Sequence, residues 1–193
     1  EYYTSLLDES QHDIQTFLDR SIHIADRNLV EKNADELLQN NVVLLVIGDV
    51  FSATTHMDLY LRAKQANIPV EVLPNSGILN AIGIVGLELY KYGKVTSMVR
   101  FEKNWQPDNV YQTIKQNQSI NAHTLILLDI KTDENYCMSI PQAISQLQEL
   151  EQIKKHQIIT PQTLAVGVAR LGTQSQFIKT GTLEQLKKTD FGK

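Results

Sequence analysis

Residues 42–47, VVLLVI, form an unbroken apolar run of strand length, and it stops abruptly at Gly48-Asp49. A run without polar alternation suits a strand covered on both faces, as in a mostly parallel sheet flanked by helices. The residues that follow agree. A helix carrying Leu59, Leu61, Ala63 and Ala66 comes next, with Thr54 or Thr55 as its cap and Pro69 as its end, and VEVL (70–73) reads as the following strand. Strand, helix and strand make a βαβ unit, which calls for a right-handed crossover and a parallel pair. The fold class is therefore α/β.

The rest of the chain is punctuated in the same way. Before the run lie a helix around 9–19, a short strand IHIA (22–25) and a helix around 28–39. After it, PNSG (74–77) is turn chemistry, and the apolar stretch up to Gly93 reads as a buried helix with that glycine as its stop. Gly83 and Gly86 inside it each disfavour a helix by about 1 kcal/mol against alanine, which points to close helix–sheet packing ahead of a ligand approaching the backbone. The rhythm changes near Gly93, dividing the chain into halves 1–93 and 94–193. The second half offers strands at 95–101 and 123–130 with a loop and helix between them. A helix at 140–154 follows, N-capped by Ser139, with Ile140, Ile144, Leu147, Leu150 and Ile153 near one face. Strands at 163–171 and 175–181 and a short helix TLEQLKK (182–188) complete it.

Composition removes several function classes. A net charge of −4, with no cluster of Lys and Arg, argues against a general polyanion binder. Cys137 is the only cysteine, so there is no intrachain disulfide, and an intracellular location is expected. The five histidines are scattered without metal-ligand spacing, so no metal site is expected. No run approaches the roughly 18 apolar residues of a membrane span. No GxxxxGK[ST], GxGxxG or GxSxG motif occurs, which leaves phosphate cradles and serine hydrolases without support.

In open α/β sheets, ligands sit beyond the carboxyl ends of strands. Three such ends carry unusual chemistry here: Gly48-Asp49, the NSGI segment at 75–78, and LLD at 127–129. Gly48, Ser52, Ala53, Ser76 and Gly77 leave room for a flat ligand against the backbone. Asp49 can accept a charge-assisted hydrogen bond from an ammonium or a hydroxyl group, or can simply cap the next turn.

The segment GDVFSATTHMDLYLRAKQANIPVEVLPNSGILNAIG resembles diphthine synthases, whose corresponding segment typically reads GDP, then Phe or Leu, then GATTH, with HNAS before the buried helix. FEKNWQPDNVYQTIKQNQSINAHTLILLDIK and TPQTLAVGVARLGTQSQFIKTGTL resemble later blocks of the same enzymes in their eukaryotic style, collinearly from about Tyr2 to Gly192. The resemblance implies a tetrapyrrole-methylase-like fold of two α/β domains, with a mostly parallel sheet in the first and a mixed sheet in the second. It implies an S-adenosylmethionine-dependent methyltransferase, leaving S-adenosylhomocysteine, that acts on the diphthamide precursor carried by a histidine of translation elongation factor 2. A cytoplasmic homodimer with no membrane and no direct nucleic-acid partner is expected.

By the same resemblance, Asp49 and the backbone around Ser52 line the cofactor site, Gly77 and Ile78 reach it from the second loop, and Leu128 and Leu171 line its adenosyl region from the second domain. No catalytic base is implied. His56 reads as a capping or solvent-facing group, Thr54 and Thr55 as capping ahead of site-lining residues, His123 as structural, and Trp105 and Tyr111 as core ahead of a docking surface. There are departures from the family pattern. Val50 stands where Pro is usual, Ser52 where Gly is usual, and Pro74 and Gly77 replace the usual His and Ser, which bears on cofactor affinity more than on fold. The family's opening strand and its last strand have no counterpart here. The join LLDIKTDENYCMSIPQA is shorter than in family members, so an interruption of the chain between Lys131 and Met138 is expected. Two other readings share parts of this sequence: a tetrapyrrole methylase of the same fold, and a catalytically silent scaffold that binds the elongation factor.

Overall fold

The structure is a computed structural model that describes residues 10–26, 28–52 and 55–192. It divides into two compact units, 1–80 and 81–193.

In the first unit, α1 (Gln11–Leu18) begins with a reciprocal capping box between Ser10 and Asp13 and ends at Asp19 in the left-handed region. A π-type turn (Asn28–Lys32) and a 3-10 helix (Ala34–Gln39) replace the single helix expected over 28–39. α2 (Thr55–Gln65) stops at Asn67, whose φ of 56° is the left-handed cap, two residues before Pro69 can act. Thr54 lies outside the described residues. Val30, Ala34 and Ala63 are buried here.

The strands expected at 22–25, 42–47 and 70–73 do not form a ladder among the described residues. An apolar run becomes a strand only when neighbouring backbones take its N–H and C=O groups. No flanking ladder is supplied here, and Val43 (84%) and Leu73 (75%) are left exposed. The buried helix expected up to Gly93 is also broken. A single turn, α3 (Ile78–Ala81), leads into a 3-10 turn (Ile82–Val85), and Gly86 at φ 78° ends it. Gly86 therefore serves as a turn residue, with nothing near the place of its missing Cβ, and a Cβ at Gly83 would meet only ordinary contact with Leu89. Close helix–sheet packing explains neither glycine.

Among the described residues, the second unit holds the larger buried core. β1 (Thr96–Met98) pairs in parallel with β2 (Ile126–Leu128), and α4 (Asn109–Ser119) forms the crossover between them. β1 ends early because side chains take the next backbone groups. Gln146 receives Phe101 N–H at 3.0 Å and donates to the Val99 carbonyl at 2.9 Å, while Asp129 Oδ2 receives Arg100 N–H at 3.1 Å. β3 (Ile130–Lys131) and β4 (Tyr136–Cys137) form a small antiparallel hairpin, with a 3-10 turn (Thr132–Glu134) between them.

α5 (Ile140–Lys154) matches its expected span, with Ser139 accepting the Gln142 N–H and Pro141 in its first turn. Ile144, Leu147 and Leu150 are buried as read, but Ile153 is exposed. β5 (Leu164–Ala169) and β6 (Phe177–Thr182) form an antiparallel hairpin, and α6 (Leu183–Lys187) follows with a Thr182–Gln185 capping box. One core joins these elements through Met98, Val110, Tyr111, Ile114, Leu147, Leu150, Leu186 and Phe191. Tyr111 is fully buried as expected, whereas Trp105 is half exposed in a small Glu102–Trp105 turn.

Two polar groups fasten this unit, half-buried Glu151 and buried Asn117. Glu151 accepts hydrogen bonds from the Tyr111 hydroxyl (2.9 Å) and from the N–H groups of Gln157 (2.6 Å), Ile158 (3.0 Å) and Ile159 (2.9 Å). Burial pushes the Glu151 carboxyl up, but those four donors outweigh it and hold the group below the ordinary carboxylate range. Burial, reinforced by Glu151, pushes the Tyr111 phenol up to about 12. Buried Asn117 bridges Lys94 N–H, the Lys94 carbonyl and the Thr124 hydroxyl.

Candidate functional site

Asp49 sits in a tight loop whose conformation follows from its sequence. Gly48 has φ 85°, a left-handed value that favours glycine, and turns the chain out of the apolar run. Asp49 Oδ1 then accepts the Phe51 N–H at 3.0 Å and the Ser52 hydroxyl at 3.1 Å, an Asx-type turn. The Phe51 ring packs edge-on against Tyr60 of α2, with centroids 5.8 Å apart.

His56 closes the loop from behind. It is buried at 5% exposure, and its Nδ1 lies 2.7 Å from the Val50 carbonyl. A carbonyl can only accept, so Nδ1 carries the proton in this bond. His56 is thus an internal tie between α2 and the loop, not the solvent-facing or capping group expected. Its place in the first turn of a helix suggested exposure, and only the spacing back to Val50 hints otherwise.

The second loop meets the first. Gly77 is buried, and a Cβ added there would lie 2.9 Å from Ser52 Oγ, 3.2 Å from Asp49 Cβ and 3.5 Å from Asp49 N. A Cβ on Gly48 would stand 3.7 Å from Gly77 Cα. The Asn75 side chain accepts the Ser76 N–H at 2.8 Å, and Gly77 accepts the Asn80 N–H at 3.1 Å as α3 begins at Ile78. The carboxyl ends of the two apolar segments therefore converge even without a ladder. The arrangement juxtaposes one carboxylate, one hydroxyl and bare backbone from two loops. It offers a carboxylate acceptor for a charge-assisted hydrogen bond.

Leu128 and Leu171 lie in the other unit, Leu128 at the end of β2 and Leu171 in the turn between β5 and β6. Leu128 closes β2 opposite Met98 and packs on the core. Leu171 opens the β5–β6 turn directly after Arg170, a non-glycine residue at φ 51°. Arg170 holds that turn, donating from Nε to the Ser175 carbonyl (3.0 Å) and hydroxyl (3.1 Å) and from a terminal nitrogen to the Phe191 carbonyl (2.6 Å). Sequence reading gave Arg170 no role, although a cation at the end of a strand, beside Leu-Gly, was visible. Asp129, noted as a carboxylate ending a strand, is an internal acceptor for Arg100 N–H.

The described residues hold no group of three or more His, Cys, Asp or Glu that could bind a metal ion, and no helix long and apolar enough to cross a membrane.

The family model for tetrapyrrole (corrin/porphyrin) methylases matches residues 2–187. The chain is 44% identical over 212 residues to the diphthine methyl ester synthase of Kluyveromyces lactis, covering 100% of this chain and 71% of that protein. It is 42% identical to the enzyme of the same name from Saccharomyces cerevisiae, over the same 212 residues and with the same coverage. A crystal structure of a diphthine synthase superposes with a TM-score of 0.85 at 32% identity, covering 100% of this chain and 73% of that one. The expected fold class stands on this likeness. The chain belongs to the tetrapyrrole methylase family, in its diphthine synthase branch.

Proposed function

We propose that the chain is an S-adenosylmethionine-dependent methyltransferase of diphthamide synthesis, acting on the precursor carried by a histidine of translation elongation factor 2. Identity above 40% across the whole chain to diphthine methyl ester synthases carries this reading. The close packing of residues 48–52 against 75–78, which leaves no room for a side chain at Gly77, supports this reading by bringing the Asp49 loop and the second loop together. By family resemblance, Asp49, the backbone at Ser52, Gly77, Ile78, Leu128 and Leu171 would be the donor-binding positions.

When bound, the donor supplies a methyl group already activated on a sulfonium. The chain's own residues then need to bind, orient and shield. Holding nucleophile and carbon in line is worth up to about 7–11 kcal/mol in well-oriented systems. A proton released by the acceptor can pass to solvent, and His56 is a buried tie to the Val50 carbonyl. In this reading the enzyme is a cytoplasmic homodimer, with two α/β domains joined near Gly93.

Calorimetric titration of the full-length protein with S-adenosylhomocysteine, followed by methyl transfer to elongation factor 2, tests the proposal. Binding with transfer is expected, and absence of both would favour the silent scaffold. Within that assay, Asp49→Asn is expected to weaken S-adenosylhomocysteine binding at least about tenfold, the scale of one hydrogen bond to a charged group. A wild-type affinity in that variant would remove Asp49 from the site.

A further inference from the structure

We propose that Ser52 is a positioning residue whose hydroxyl fixes the orientation of Asp49, and that the missing side chain at Gly77 is what allows it to do so. The proposal rests on reading Asp49 as the acid that faces the cofactor. Asp49 Oδ1 is held by two donors, Phe51 N–H at 3.0 Å and Ser52 Oγ at 3.1 Å. One donor fixes an oxygen, whereas two fix the plane of the carboxylate. Oδ2, which accepts no hydrogen bond among the described residues, is thereby set as the acceptor for a ligand's ammonium or hydroxyl.

Gly77 enters because space for one side chain is shared between two loops. Its added Cβ would stand 2.9 Å from Ser52 Oγ, closer than real contacts allow. Of the atoms it meets, Ser52 Oγ is the one that a single side-chain torsion can move, since the others are Asp49 Cβ and Asp49 N. Rotating that hydroxyl away breaks its bond to Asp49. Ser52→Ala and Gly77→Ala, in different loops, therefore remove the same hydrogen bond by different routes.

Titration of S-adenosylhomocysteine into the full-length protein and its variants reads this out. Ser52→Ala and Gly77→Ala are each expected to weaken binding about tenfold. The double variant should be no weaker than the weaker single, because the bond can be lost only once. Ser52→Thr, which keeps the hydroxyl, should bind within about twofold of wild type, and Ser52→Ala should keep its melting temperature, which a merely structural role would not predict. Wild-type affinity in Ser52→Ala, or losses that multiply in the double variant, would overturn the positioning role while leaving the methyl-donor reading intact. Failure of the wild-type protein to bind at all would sink that reading, and this role with it.

Discussion

Glu151→Ala is expected to lower the stability of the chain by about 2–4 kcal/mol, read as a shift in the urea midpoint. The carboxylate is the common acceptor for Tyr111 and for three consecutive N–H groups in the connection after α5. That connection has Lys155 and Gln157 at positive φ, a backbone conformation that non-glycine residues adopt at a cost. Removing the acceptor strands partly buried donors beside the core residue Ile159. The effect carries a pH signature of definite sign. Because the folded protein holds Glu151 below its ordinary value, the stabilisation is whole above about pH 4.3, the unfolded value, and is lost as pH falls through the lower folded one. The stability gap between wild type and Glu151→Gln should therefore narrow on acidification through that window. Tyr111, raised to about 12, acts on the alkaline side. Its contribution is whole below about pH 10 and drains away as pH climbs toward the folded value.

Gly93→Ala should cost about 3 kcal/mol, comparably large for a change of one methyl group. The new Cβ would land on the amide of Asn117 and stand 3.1 Å from the Ala122 side chain. Asn117 is buried at 2% exposure and cannot step aside without abandoning Lys94 and Thr124. Asn117→Ala alone loses those bonds, but it also removes the obstacle. In a double-mutant cycle followed by chemical denaturation, the two losses should fall well short of adding. Additive losses would show that Gly93 and Asn117 do not press on each other.

Legibility in the sequence tracked how local the physics is. α5 was readable to the residue because its cap, its proline and its apolar spacing all lie within the helix. β5, β6 and α6 were readable for similar reasons, with a short connection and a capping box. The runs at 42–47 and 70–73 were not, because strand formation depends on partners elsewhere in the chain. Gly86 rather than Gly93 ends the apolar stretch, and nothing in the local sequence ranks one glycine above the other. Of the candidate site, the meeting of Asp49, Ser52 and Gly77 could be anticipated from small residues at two apolar carboxyl ends. The His56 tie to Val50 and the Arg170 clamp could not, since each is a choice of side-chain direction that spacing leaves open.

The shared volume between positions 52 and 77 bears on how such a loop pair changes over generations. Two neighbouring turns with room for one side chain behave as a single heritable unit, so drift at either is conditional on the other. A lineage that acquires bulk at 77 must first have shed it at 52, and the order of those steps should be recoverable from a phylogeny.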